Sequence, residues 1–307
     1  MKTLMTTLMV VSVVVSAWGC AGGRAAGPAR EYRSLDGRVL GPVPIASERE
    51  TPLKVDLAAA EGAYDASPSE ENAIWLGRRL GYLGQYHEAI GVFTEGLGRY
   101  ADSYKLLRFR GHRYITVRQF DKAIEDLSRA AHLAENLEDE VEPDGDPNST
   151  NTPRSTVKSN IYYHLGLAHY LRGEYSLAGH WFARREGLAG VNDDMLVSSL
   201  HWRVLALCRL GRPDQARRLA QGVTAQMDVK ENHNYHQLCL FYKGEISEGE
   251  VLKEGALDPA VAYGVSVWRE VTGNPEGAVV LRHRIIEETN WAAFGHIAAE
   301  ADLARSK

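Results

Sequence analysis

Gly84-Gln85-Tyr86-His87-Glu88-Ala89 is followed, 34 residues on, by Arg118-Gln119-Phe120-Asp121-Lys122-Ala123. The pattern returns as Gly173-Glu174-Tyr175-Ser176-Leu177-Ala178 and Gly211-Arg212-Pro213-Asp214-Gln215-Ala216. Weaker copies are Gly244-Glu245-Ile246-Ser247-Glu248-Gly249 and Gly273-Asn274-Pro275-Glu276-Gly277-Ala278. Each copy suits the turn of a helix–turn–helix. The Gly, or Arg118 in the second copy, closes one helix; the aromatic or Pro opens the next; the Ala lies inside it. Twelve residues before the Ala stands a glycine of the first helix: Gly77 before Ala89, Gly111 before Ala123, Gly166 before Ala178. A glycine inside a helix costs about 0.5–1 kcal/mol relative to Ala. Three at one register predict close helix crossings, where the facing Ala approaches and Phe93, Leu127 and Phe182 fill the space above. The step of 55 residues between the second and third copies holds an insertion of 21.

Period and pattern resemble the tetratricopeptide repeat. The resemblance covers about residues 55–306. The fourth copy keeps Ala216 but has Val204 at the glycine register. The fifth has Gly249 for the Ala, and the sixth keeps Ala278 with Ser266 at the glycine register. Val55 to Tyr64 resembles a leading half-repeat helix, and Trp291-x-x-Phe294-Gly295 the start of a C-terminal capping helix. The resemblance implies an all-α fold, a right-handed superhelical solenoid of antiparallel helix pairs. It also implies that first helices line a concave groove. With the glycine counted as position eight, positions two, five, nine, twelve and thirteen face inward. They select Arg78 and Tyr82, then Lys105, Arg108 and His112, then Asn160, Tyr163 and Tyr170, then His201 and Arg209. Tyr and Arg are residue types that carry binding energy at interfaces, so a protein or peptide partner is expected there. The Lys/Asn clamp with which family members hold acidic C-termini is not matched, because Ile74 and Arg78 stand at its positions.

The chain has 307 residues, a net charge of −5, 44% hydrophobic and 24% charged residues. Such a composition forms a core and excludes disorder over most of the length. With 35 Lys+Arg against 40 Asp+Glu it is a poor non-specific nucleic-acid binder, so no nucleic-acid partner is expected. Lys2 precedes the apolar run Leu4 to Val15, too short to span a bilayer and of signal-peptide type, giving a signal over residues 1–19. Ala17-Trp18-Gly19-Cys20 resembles a bacterial lipobox, although Leu and a small residue are usual where Ala17 and Trp18 stand. The resemblance implies a lipidated Cys20, a flexible tether over residues 20–54 and a solenoid over 55–306. The protein would face the periplasm from the outer membrane, touching membrane through the lipid alone. Secretion into the periplasm with Cys20 as a free thiol is the alternative.

The insertion, about residues 136–157, carries Glu138, Asp139, Glu140, Glu142, Asp144 and Asp146, and its prolines forbid helix. Its spacing is not that of a calcium loop, so it is expected to be a solvated connection whose deletion leaves the domain folded. Cys208 and Cys239 lie in apolar helical text and are expected to be buried thiols, a disulfide between them in an oxidising envelope being the alternative. His233 with His236, and His164 with His169, lack further ligands at metal spacing, so no metal is expected. Asp193-Asp194 is expected to cap the helix beginning near Met195. No G-x-S-x-G, Walker A, C-x-x-C or dinucleotide motif occurs, so neither catalytic residue nor cofactor is assigned. The functional expectation is a non-catalytic protein- or peptide-binding scaffold of the bacterial envelope, assisting assembly of an envelope complex. The alternative is an enzyme accessory or a small-ligand- or glycan-binding solenoid.

Overall fold

The computed structural model describes residues 31–146, 151–253 and 255–306. The signal segment and Cys20 lie outside the described residues. The described helices are α1 Ser47–Ala66, α2 Glu70–Tyr82, α3 Tyr86–Arg99, α4 Tyr104–Thr116, α5 Phe120–Ala134, α6 Val157–Arg172 and α7 Tyr175–Glu186. They continue as α8 Asp193–Arg209, α9 Pro213–Ala220, α10 His233–Lys243, α11 Glu248–Val251, α12 Pro259–Val271, α13 Pro275–Glu288 and α14 Phe294–Arg305. A short antiparallel hairpin, β1 Tyr32–Arg33 with β2 Val39–Leu40, precedes them.

The six-residue pattern marks the turns. Gly84, Gly173, Gly211, Gly244 and Gly273 all have positive φ, the left-handed conformation that ends a helix. Side-chain caps start the first helices: Ser69, Ser103, Thr156, Asn192 and Asp258 each accept a backbone N–H of the opening turn. The cap of α8 is therefore Asn192 rather than Asp193-Asp194. Asp194 instead accepts backbone N–H groups of Lys230, Glu231 and Asn232, stitching the α9–α10 connection to α8. The weak fifth copy has a physical counterpart, since α11 is only four residues long.

At Gly77 and Gly111 an added Cβ would come under 3.0 Å from Phe93 and Leu127, and at Gly166 it would lie 3.0 Å from Phe182. The large residue four positions past the Ala, not the Ala itself, supplies the nearest atoms to the glycine's open face. Phe93 and Phe182 are 1% and 0% exposed, so each ring is a core anchor seated over a backbone notch.

Two expectations about the ends of the domain are corrected. First, α14 closes the C-terminal end but is itself largely buried instead of lying on the outside. Every residue from Gly295 to Asp302 is buried. It packs on α12 and α13, and its remaining faces meet the first helices of earlier repeats. Phe294 lies against His112 and His164, Glu300 pairs with Arg118 at 2.7 Å, and Arg305 donates to the Leu171 carbonyl. Asp302 receives Arg209 and the Tyr263 hydroxyl. Small residues permit this: Gly295 crosses so near the Pro259 backbone that no side chain fits, and Ala298, Ala299 and Ala301 follow.

Second, the chain from Glu31 onward belongs to the folded body. The Tyr32 hydroxyl donates to the Gly84 carbonyl and accepts from the Tyr86 N–H, and its ring packs against His87 and Trp291. Trp291 donates to the Gly41 carbonyl, and Leu35 N–H reaches Glu300. Residues 31–41 thus strap the α2–α3 turn to the α13–α14 connection. Arg118 explains itself here. It alone among the six turns is a non-glycine at positive φ (61°), a strain of about 1–2 kcal/mol. Its guanidinium, 4% exposed, ties the turn to Glu300 and to the Trp291 carbonyl.

Candidate functional site

The inward register positions separate into two groups. On α6 and α8 they are mostly buried among α10, α12 and α14. Tyr170 is 0% exposed and its hydroxyl meets that of Tyr263 at 2.9 Å. Tyr163 is buried; its hydroxyl accepts from Trp202 Nε1 at 2.9 Å and meets that of Tyr235 at 3.2 Å. His201 is fully buried against Tyr235 and Tyr242, and burial pushes it down to about 3. Arg209 is clamped by Glu270 and Asp302. Asn160, partly buried, donates to Ser155 Oγ. An open groove lined by Tyr163, Tyr170, His201 and Arg209 is therefore corrected: these side chains form the packed centre, because α10, α12 and α14 pack over them.

On α2 and α4 the same positions are mixed: Ile74 and Arg108 are buried, whereas Arg78, Tyr82, Lys105 and His112 keep part of their surface accessible. A cleft of about 340 Å³ lies between these helices, lined by Ile74, Trp75, Arg78, Lys105 and Phe109, with Glu71 at its mouth. The Arg78 guanidinium stands 4.5 Å from the Trp75 ring centroid and 5.1 Å from that of Phe109. Beneath it is a smaller cavity of about 100 Å³, reached by Arg78, Tyr82, Arg108, His112, Arg113 and Glu142. His112 packs against His164 with ring centroids 4.3 Å apart and planes tilted by 39°. Burial, then the neighbouring arginines, hold both imidazoles neutral well below the usual histidine range. His164 Nδ1 donates to the Asn160 carbonyl at 2.7 Å.

The acidic insertion covers part of this region, which corrects the expectation of a solvated loop. Glu142 is buried and pairs with Arg108 at 2.8 Å, both side chains under 8% exposed. Glu140 accepts from Tyr104 and Lys105, Arg78 donates to the Pro143 carbonyl, and Arg79 donates to that of Gly145. A bridge between Val141 and Thr156 pins the loop's two ends. The loop lies as an extended acidic segment along the basic face of the first two repeats.

Trp75, Phe109 and Arg113 were not selected from the sequence. Trp75 and Phe109 share position six of their repeats, one residue from a position that was counted inward. A signal for the loop's docking was present: six carboxylates in an insertion beside the most basic repeat. Cys208 and Cys239 are buried and free, Cys239 donating to the Val197 carbonyl. His236 bonds the Thr224 carbonyl and His169 bonds Glu174.

No protein-family model matches the chain, and no curated protein matches it. Solved structures do. A tetratricopeptide repeat protein from Parabacteroides merdae aligns at a TM-score of 0.51 and 14% identity, over 83% of this chain and 94% of that one. YrrB, described as a TPR protein with an unusual peptide-binding site, aligns at 0.43 and 14%, over 81% of this chain and 98% of its own. The MamA protein aligns at 0.43 and 17%, over 69% and 92%. With the helix pairs described above, the first of these shows that the fold is that of a tetratricopeptide-repeat solenoid.

Proposed function

We propose that the chain is a non-catalytic scaffold that binds a protein or peptide partner in the cleft between α2 and α4. One observation carries the reading: among the described residues the inward face opens into a cleft there, where aromatic and cationic side chains line a space that holds a segment of the chain itself. Trp75, Arg78 and Phe109 offer desolvated ring and guanidinium surface, the chemistry of interface hot spots. Lys105 offers a charge that Glu140 now meets, so a partner with carboxylates competes with the loop.

The scaffold is further proposed to be lipid-anchored through Cys20 in the bacterial envelope, facing the periplasm, and to assist assembly of an envelope complex. The lipobox-like run and the apolar segment before it support that placement. A glycan-binding role has one supporting residue in the cleft, the Trp75 ring.

The test is site-directed photo-crosslinking from Glu71 at the cleft mouth, in a bacterium expressing the full chain. One discrete adduct should appear in the membrane fraction, and Trp75→Ala with Lys105→Ala should abolish it without lowering the protein's level. Cys20→Ala should move the protein to the soluble fraction. An adduct that survives the double substitution removes the cleft as the binding surface, and a Cys20→Ala variant still in the membrane fraction removes the anchor.

A further inference from the structure

The small inner cavity gathers more positive charge than its own residues balance. Arg78, Arg108 and Arg113 converge on it, and Glu142 is the carboxylate in its wall. Glu142 is engaged by Arg108. Arg78 donates to the Pro143 carbonyl and Arg113 to the acceptor nitrogen of the His112 ring, and neither makes an ion pair among the described residues. Arg108 is 5% exposed, yet its Nε is buried without an acceptor. Asp144 is close enough to feel the Arg78 charge, and the cations still outnumber the carboxylates. Guanidinium groups gathered out of water without matching anions are strongly disfavoured. Burial, with Arg108 and Arg78 adding repulsion, pushes Arg113 down to about 10. That is the direction expected of a cation short of counter-charge.

We propose that this cavity is a binding site for a phosphate-class oxyanion, held by Arg78, Arg113 and the Nε of Arg108, with the Tyr82 hydroxyl at its edge. A volume of about 100 Å³ suits a single tetrahedral ion. Planar guanidinium groups present paired N–H donors that such an ion accepts two at a time. The scaffold around the arginines is preformed. Phe109 is stacked between Arg78 at 5.1 Å and Arg108 at 4.3 Å, fixing two of them. Arg113 lies over the Tyr86 ring, and a Cβ on Gly81 would stand 2.9 Å from its Nη1, so the glycine leaves the guanidinium its place. The cavity shares Arg78, Phe109 and Glu142 with the outer cleft. The oxyanion therefore arrives either as the free ion or as the phosphoryl group of a phosphomonoester. The site is separate from the peptide reading, which stands on Trp75 and Lys105 and survives if no anion binds.

Isothermal titration of inorganic phosphate into the full chain, at fixed ionic strength with chloride as control, tests the site. Saturable one-to-one binding is expected with phosphate and not with chloride. Arg113→Gln and Arg78→Gln should each weaken it by about ten-fold or more, the scale of a lost charge-assisted hydrogen bond. Arg129→Gln, at an exposed pair away from the cavity, should leave it unchanged. Phenyl phosphate separates the two sources: binding like that of phosphate supports a carried phosphoryl group, and exclusion supports the free ion. Absence of saturable binding above the chloride control overturns the proposal. Unchanged affinity in both Arg→Gln variants, checked as folded by circular dichroism, overturns it equally.

Discussion

Arg108 on α4 and Tyr163 on α6 hold the same position of successive repeats, and their surroundings are opposite. Arg108 faces a charged cavity and a borrowed carboxylate, Glu142, from a loop that leaves a cleft beside it. Tyr163 faces Phe294 of α14 and is locked by Trp202 and Tyr235. One half of the array has its concave face filled by the chain's own later helices, over small residues and tyrosine hydroxyls. The other half lines a cleft and a cavity with arginines and aromatic rings, some buried and some partly exposed. A repeat register therefore says which side chains point inward, but not whether the inside is a groove or a core. That depends on what the chain later places there.

The largest expected effect breaks or upholds the filled half. Replacing Tyr163 and Arg209 together by Ala removes a buried ring and leaves Asp302 without one of its cations. Truncating a large core aromatic costs about 3–5 kcal/mol, and breaking a buried pair adds to it. A loss of about 5 kcal/mol or more in urea unfolding is expected. If stability instead falls by less than about 1 kcal/mol, α10, α12 and α14 do not fill the concavity and the groove is open along its whole length.

A second effect sharpens the seam between the halves. His112, His164, His201 and His296 all have folded-state pKa values lowered, first by burial, from the ordinary 6.5; His201 falls to about 3 and His296 to about 4. The unfolded chain thus takes up protons first as pH falls. Their contribution is complete above about pH 6.5 and is lost as pH drops below it toward the folded values. Between pH 6.5 and 5.5 each costs about 1 kcal/mol, about 4 kcal/mol together. Unfolding free energies at the two pH values measure this. Equal values would mean that water reaches these imidazoles.

Much of the fold was legible because its signals are local. Gly84, Gly173 and Gly211 end helices through their own φ, and Gly77 and Gly111 mark crossings with residues about sixteen positions away. The site was legible only in part. Arg78, Lys105 and Arg108 were selected and do line the cleft or its cavity. Tyr163 and Tyr170 were selected on the same grounds and are core, because nothing near them in sequence announces an α14 more than a hundred residues away. The strap failed for a similar reason. Residues 31–41 have no periodicity, and Tyr32 is held by Gly84 and Trp291, contacts that composition does not encode. Glu142 and Arg108 were each visible as charge, while their pairing was not.

The smallest effect concerns that pair and decides how the open half is kept. Glu142→Ala leaves Arg108 buried without the carboxylate it pairs with among the described residues. Breaking a buried pair costs about 3–5 kcal/mol, and water from the adjoining cleft lowers this to about 2 kcal/mol. Asp146→Ala makes a control within the same loop: its pair with Arg49 is half exposed on both sides, so about 0.5 kcal/mol or less is expected. Deleting residues 138–153 should cost at least as much as Glu142→Ala, because it removes the same carboxylate along with the Glu140 and Gly145 contacts. Chemical denaturation of the three variants gives the order. If all three match the parent, the loop is only a spacer and the cleft is permanently open. If Glu142→Ala and the deletion fall together while Asp146→Ala does not, a single glutamate holds the loop, and a partner's carboxylate at Arg108 is sufficient to release it.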